Sequence, residues 1–459
     1  MEIIFIAILG LITLALAPVV PLKLRFATAL TASVLQLYIF PVGDFYISVA
    51  FAASLFLWPE TIKEARRLFR KKIFVIATGV FAAHIVSLLW SPDSRMGIRT
   101  IVYILPFFFT VCSAYSLANK NEKFLYKILS ITCLIMTIEA ALVIVFRLSP
   151  LIETSYLTSN ISGLFSGPNV IFNLLSGTEA NNVFDPDKSG GLLVNGNTAA
   201  TYLGMGGFTA FLTFKARKSK SSLIVAALLW TSVFFTGSKS GVMLAITLPI
   251  TALLFNHYLK YSNQSKAILS KIVWLMVPLA LFGAVQIAEV YADKYAFASD
   301  SFDTASIRFK IWHYATQAFF NSPILGQGFG GWQIGYAKYA ASIGIPTSFP
   351  PHNTLIYLWS QSGIIAAICG MAFMYYVLKL AYQLTESTNQ DSKNLGMILM
   401  LVAGWLFIHG MGENIGLFGE PHQQPLFATL LGLACASRLR NKNTSGTTLV
   451  LSKPEGNKQ

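Results

Sequence analysis

Apolar stretches of about twenty residues alternate with short polar breaks from one end of the chain to the other. A helix rises about 1.5 Å per residue and satisfies its own backbone hydrogen bonds, so each stretch matches the hydrocarbon thickness of a bilayer. The pattern predicts spans at 2–21, 26–42, 44–59, 73–91, 99–118, 128–147, 197–214, 222–236, 240–256, 272–290, 354–378, 395–412 and 422–437, twelve or thirteen in all. The first three are separated only by Leu22 to Arg25 and by Pro41 to Asp44. The expected fold is therefore all-α, a polytopic transmembrane helical bundle.

Two polar intervals are much longer than the others, 148–196 and 291–353. They divide the chain into N-terminal transmembrane helices (1–147), a first outer loop (148–196), central helices (197–290), a second outer loop (291–353), C-terminal helices (354–437) and a tail (438–459) expected to be disordered. The first loop ends in Gly190-Gly191-Leu192-Leu193-Val194-Asn195-Gly196-Asn197, a run that suits either a turn into the next helix or close backbone approach to a ligand. In the second loop Ile307, Ile311, Tyr314, Ala315, Ala318 and Phe319 recur at helical spacing, which predicts an amphipathic helix over 304–320 on the outer surface. Glycines at 326, 328, 330 and 331 then permit a tight path.

Charge fixes the orientation. Alternate loops collect 25 of the 34 Lys and Arg residues, including the clusters at 63–72, 120–127 and 215–220 and the C-terminal tail. Positive loops stay cytoplasmic, so the tail lies inside and both long loops lie outside. An odd number of spans puts the N-terminus outside, and no cleavable signal peptide is evident. Only 12% of the chain is charged, against roughly 25% in a soluble domain. The net charge of +14 is spread over short juxtamembrane clusters, which suits anionic membrane lipids and argues against nucleic acid. Cys112, Cys133, Cys369 and Cys435 all sit in apolar segments without a CxxC pair, so no disulfide, metal or cofactor is inferred.

Ionisable groups at membrane depth cost several kcal/mol unless they meet water or a partner. Lys239 stands in the polar break Thr236-Gly237-Ser238-Lys239-Ser240-Gly241, Arg308 on the amphipathic helix, and His352 after two prolines at the start of an apolar helix. Each has a plain alternative: a snorkelling lysine, a solvated arginine, an interfacial histidine. Glu139 lies within a span and Glu413 near an outer helix end, where either suits pairing with a neighbouring helix. Together the two cations and the imidazole suit a diphosphate and the proton of an attacking hydroxyl.

Three stretches carry a resemblance to the O-antigen ligase and polymerase superfamily of bacterial envelope glycosyltransferases. They are Thr236 to Gly241; Arg308-Phe309-Lys310-Ile311-Trp312 with Ser322-Pro323-Ile324-Leu325-Gly326-Gln327-Gly328; and Pro351-His352-Asn353-Thr354-Leu355 with Gly363. The resemblance implies a GT-C-like inner-membrane enzyme with a periplasmic active site, inverting and metal-independent. Its donor would be an undecaprenyl diphosphate-linked glycan and its acceptor lipid A-core or a growing polysaccharide, ligation and polymerisation staying open. On that pattern Lys239 and Arg308 bind the diphosphate, Arg308 and His352 are catalytic, and Ser238 and Asn353 support them. Two departures stand out: lysine at 239 where ligases often have arginine, and Gln361 where an acidic residue is common. A transporter or flippase is the competing class, although the two halves show no convincing repeat and the polar residues gather on the outer face.

Overall fold

The computed structural model describes residues 10–13, 15–42, 45–176, 187–258, 296–413 and 415–450, with side chains left undescribed at 42, 45, 256–306 and 441–450. The expected span at 272–290, and residues 2–9 and 14 of the one at 2–21, lie outside these residues.

Helices dominate. They are α1 (Leu22–Leu35), α2 (Val49–Leu55), α3 (Trp58–Leu68), α4 (Lys72–Ser87), α5 (Ser94–Leu148), α6 (Pro150–Leu157), α7 (Ser162–Ser166), α8 (Pro168–Leu175), α9 (Gly196–Arg217), α10 (Lys220–Val233), α11 (Lys239–Tyr258), α12 (Ala296–Asn321), α13 (Gly331–Ser342), α14 (Thr354–Thr385), α15 (Gln390–Gly410) and α16 (Gln424–Val450). Among the described residues, four helices are long and apolar enough to cross a membrane: Lys72–Trp90, which carries α4 into a short 3-10 turn, and α5, α14 and α15. The 55-residue α5 is long enough for two crossings, and Asn121 (φ −158°, ψ 76°) breaks it midway, its Oδ1 accepting from Phe124 N–H at 3.1 Å to cap the second half. The helices α9 and α16 are less apolar but buried along most of their described length, so they face protein rather than lipid.

The second and third expected spans take a different form. The chain leaves α1 at Gln36 (φ 44°), forms an antiparallel hairpin of β1 (Tyr38–Val42) and β2 (Phe45–Ser48), and enters α2. Aromatic and β-branched residues around Pro41 favour extended pairing over helix there. At 14 residues α1 is only about 21 Å long, short of a bilayer core.

Lipid supplies little hydrophobic drive for helices to associate, so close packing has to hold the bundle. A Cβ on Gly432 would come within 2.6 Å of the Val111 carbonyl, which is how closely α16 approaches α5. Phe107, Phe373, Phe418 and Phe427 interlock at ring distances of 4.5 to 6.4 Å around that contact. Ile224 and Leu253, about 70% exposed, look outward from the bundle.

The alternate loops sort to opposite ends. At one end Arg440 donates to the Ala118 carbonyl and to Glu122, Lys71 donates to the Cys435 carbonyl, and Ser392 bonds Ser437. At the other, Gln36 donates to the Pro421 carbonyl, Arg147 to Asp187, and Asn353 to the Met411 carbonyl. The basic clusters belong to the first end, and both long loops to the second.

The second long loop is a small packed unit. Ile311, Tyr314, Ala315 and Ala318 of α12 are buried against Trp332 and Tyr336 of α13 and Trp359 of α14, with Ile307 and Phe319 at the rim. The apolar face of the amphipathic helix thus meets protein. The unit is keyed into α14, which breaks at Ser362 and Gly363 (φ 81°). Gln327 N–H takes the Ser360 carbonyl at 2.8 Å, and Ile364 N–H takes the Ile324 carbonyl at 2.9 Å. The 324–327 loop therefore satisfies backbone groups that a broken membrane helix would otherwise leave bare.

Candidate functional site

Three stretches singled out in the sequence converge on the turn that follows α15. Arg308 lies beside the buried face of α12, at the seam toward that turn. Its Nη2 donates to Glu413 Oε1 at 2.5 Å, and Trp312, one helical turn on, donates its indole N–H to the Pro351 carbonyl at 3.3 Å. The Trp312 contact fastens α12 to the segment that carries His352.

His352 sits between Pro351 and the cap of α14 in left-handed backbone (φ 47°), a conformation that costs a non-glycine residue about 1–3 kcal/mol. Its neighbours hold it there. Asn353 caps α14, its Oδ1 accepting from Leu355 and Ile356 N–H at 2.9 and 3.1 Å, while its Nδ2 donates to the Met411 carbonyl. Thr354 Oγ1 lies 2.9 and 2.7 Å from the carbonyls of Gly410 and Ile415. These contacts bring Nδ1 of His352 to 3.6 Å from Glu413 Oε2, a charge contact just beyond hydrogen-bond range.

Glu413 is the hub. It is 8% exposed, and one oxygen faces the guanidinium while the other faces the imidazole. Burial pushes its carboxyl up, but His352, Arg308 and His409 outweigh that and hold it below the usual carboxylate range. The Arg308 side chain is 27% exposed and carries further N–H donors besides the one on Glu413.

Lys239 is exposed at the first turn of α11. The preceding break is rigid: Ser238 Oγ accepts from Gly241 N–H at 3.1 Å, and the Thr236 carbonyl accepts from Ser189 N–H. Gly237 (φ 69°) passes so close to the Asp187 carbonyl that a Cβ would meet it at 2.1 Å. Ser240 then joins the hub through a histidine absent from the sequence candidates. Its Oγ lies 2.8 Å from Nε2 of buried His409, whose Nδ1 lies 2.6 Å from Thr201 Oγ1. Thr201 donates its proton to the Asn197 carbonyl, so it accepts from Nδ1–H and leaves Nε2 to accept from Ser240. The His409 carbonyl in turn accepts from Glu413 N–H at 2.9 Å.

The structure therefore joins Arg308 and His352 through Glu413 and ties the Lys239 break to the same turn through Ser240 and His409. Ser238 and Asn353 are both helix caps. Glu139 is separate: its carboxylate accepts from Leu192 and Leu193 N–H, and Asn195 caps α9, so the Gly190 run forms a turn into a helix. The spacing His409-x-x-x-Glu413 at the outer end of an apolar span was the one sequence signal for the hub, since it stacks two titratable groups on one helical face.

A helical membrane bundle with a cation, imidazole and carboxylate cluster at one end is the class of protein these features define. Residues 224–371 match the family model for O-antigen ligase. That match, over about a third of the chain, supports a relationship to the O-antigen ligase and polymerase superfamily. The matched stretch contains Lys239, Arg308, His352 and Gly363, while His409 and Glu413 lie beyond it. No curated protein matches the chain.

Proposed function

We propose that this chain transfers a glycan from an undecaprenyl diphosphate carrier to a hydroxyl of an acceptor glycan, at the periplasmic face of a bacterial inner membrane. The observation that carries the proposal is the joining of Arg308 and His352 through Glu413 beside the Lys239 break. In the reaction the acceptor oxygen attacks the anomeric carbon and the bond from that carbon to the diphosphate oxygen breaks. The configuration at that carbon inverts. His352 Nε2 takes the hydroxyl proton, and Glu413 beside Nδ1 stabilises the imidazolium that forms. Arg308 and Lys239 neutralise the departing diphosphate, so charge compensation is assigned to guanidinium and ammonium rather than to a metal.

Acceptors differ between ligation, to lipid A-core, and polymerisation, to a growing lipid-linked chain. In reconstituted protein, His352→Ala is expected to abolish transfer from the lipid carrier while leaving the melting profile intact. Undiminished product would overturn the base assignment. Surface polysaccharide from a deletion strain separates the acceptors: free lipid A-core with intact lipid-linked polymer marks a ligase, and single capped repeats mark a polymerase.

A further inference from the structure

A pocket lies at the same end of the bundle as the hub. Its volume is about 380 Å³, within the roughly 300–1,000 Å³ usual for small-molecule sites. Segments far apart in the chain converge on it: Tyr38 and Tyr46 of the hairpin, Arg99 and Tyr103 at the start of α5, Tyr357 in the first turn of α14, and Glu420 of the loop that follows Glu413. It shares two segments with the hub, because Tyr357 N–H bonds the carbonyl of Asn353, next to His352, and Glu420 closes the turn that Glu413 opens.

The lining is chemically particular. Four phenol rings supply flat faces. The electron-rich face of an aromatic ring attracts the polarised C–H groups on one side of a pyranose. Arg99 lies over the Tyr103 ring at 5.7 Å, which fixes the guanidinium as a hydrogen-bond donor at the wall. Glu420 uses Oε1 to accept from Gly416 N–H at 3.0 Å. The charge is balanced, one guanidinium against one carboxyl, which is wrong for a diphosphate and right for a neutral polyol.

We propose that this pocket is a sugar subsite, taking a neutral pyranose from the acceptor end of the glycan. Its role as an acceptor subsite rests on the transferase reading above; the binding of sugar does not. Glu420 accepts from sugar hydroxyls and Arg99 donates to them, so the two supply complementary partners for a polyol.

The test is saturation-transfer NMR on full-length protein in lipid nanodiscs, without donor, against methyl glycosides of glucose, galactose, mannose, N-acetylglucosamine and N-acetylgalactosamine. At least one is expected to bind. Arg99→Ala and Tyr357→Ala are each expected to weaken it about tenfold, the scale of one lost charge-assisted hydrogen bond or ring face. Tyr357→Phe, which keeps the face, is expected to stay within about threefold, a cost of one neutral hydrogen bond. No binding by any of the five, binding indifferent to both Arg99 and Tyr357, or displacement of the sugar by inorganic pyrophosphate would each overturn the proposal. Melting curves of each variant identify misfolding, and if Tyr357→Ala misfolds, Arg99→Ala and Tyr357→Phe decide. Because donor is absent, failure here leaves transfer untouched, and failure of transfer leaves this binding readout standing.

Discussion

Arg308 and Glu413 are 105 residues apart in the chain and 2.5 Å apart in the structure, one on the outer helix α12 and the other on the turn after α15. Through that contact the outer unit is tied electrostatically to the membrane bundle. Glu413→Gln keeps the shape and removes the charge. Transfer is expected to fall about a hundredfold or more, the scale of general acid–base assistance, and unfolding to become easier by about 2 kcal/mol, the worth of a hydrogen bond between charged groups. A double-mutant cycle with Arg308→Ala checks the pairing, since additive effects would show that the two act independently.

Glu413 and Glu420, in one loop, titrate in opposite senses. The Glu413 carboxyl is held below its ordinary value of about 4.3, so its stabilisation is present above that pH and is lost as pH falls through the folded-state value. Glu420 is raised by burial, an effect partly offset by Gly416 N–H, so its contribution is present at low pH and is lost as pH rises through its own window. At pH 7, Glu413→Gln is therefore expected to lower the melting temperature and Glu420→Gln to leave it equal or raise it. Melts between pH 3 and 8 should show the acid loss of wild type flattened in Glu413→Gln.

At Lys239 the expected contact is a single ammonium on a diphosphate oxygen. Lys239→Arg should retain transfer, and Lys239→Ala should lose it with a raised KM for donor, because the group binds charge already present in the ground state. Equal activity in all three would leave Lys239 as an interfacial anchor.

The left-handed backbone at His352 sets up a stability test. Glycine adopts that conformation without penalty, so His352→Gly is expected to melt as high as wild type or about 1 kcal/mol higher, yet to be inactive. A clear loss of stability would mean that the imidazole holds the fold rather than acting on substrate.

The junction at Gly363 has no room to give. A Cβ there would come to 2.2 Å from the Ile324 carbonyl, in a backbone conformation that disfavours any other residue. Gly363→Ala is expected to cost at least about 2–3 kcal/mol and to disturb α14 and the outer unit together, visible as protease sensitivity of the 324–327 loop.

Much of this was legible in the sequence where chemistry is local. Apolar length marked the long helices, α12 showed its buried face through Ile311, Tyr314, Ala315 and Ala318, and Arg308 and His352 stood out as costly charges. What stayed hidden depends on contacts between distant segments. Glu413 read only as a carboxylate at a helix end, because the residue 105 positions earlier that gives it meaning is visible only after folding. His409 looked like one polar residue in an apolar run, since Thr201 and Ser240 reach it from two other helices. The hairpin at 38–48 was masked by its own hydrophobicity, as a short apolar run reads equally as strand or helix.

The bonds from the 324–327 loop into the broken α14 have a kinetic consequence. Lifting the outer unit away would strip two peptide groups of a transmembrane helix of their partners in a medium without water. The unit is thus a fixed anvil rather than a lid, and on the transferase reading proposed above the glycan would have to slide past a stationary protein. On that reading, turnover would depend on the length and stiffness of the polymer that has to clear the site, and shortening the polymer should speed product release.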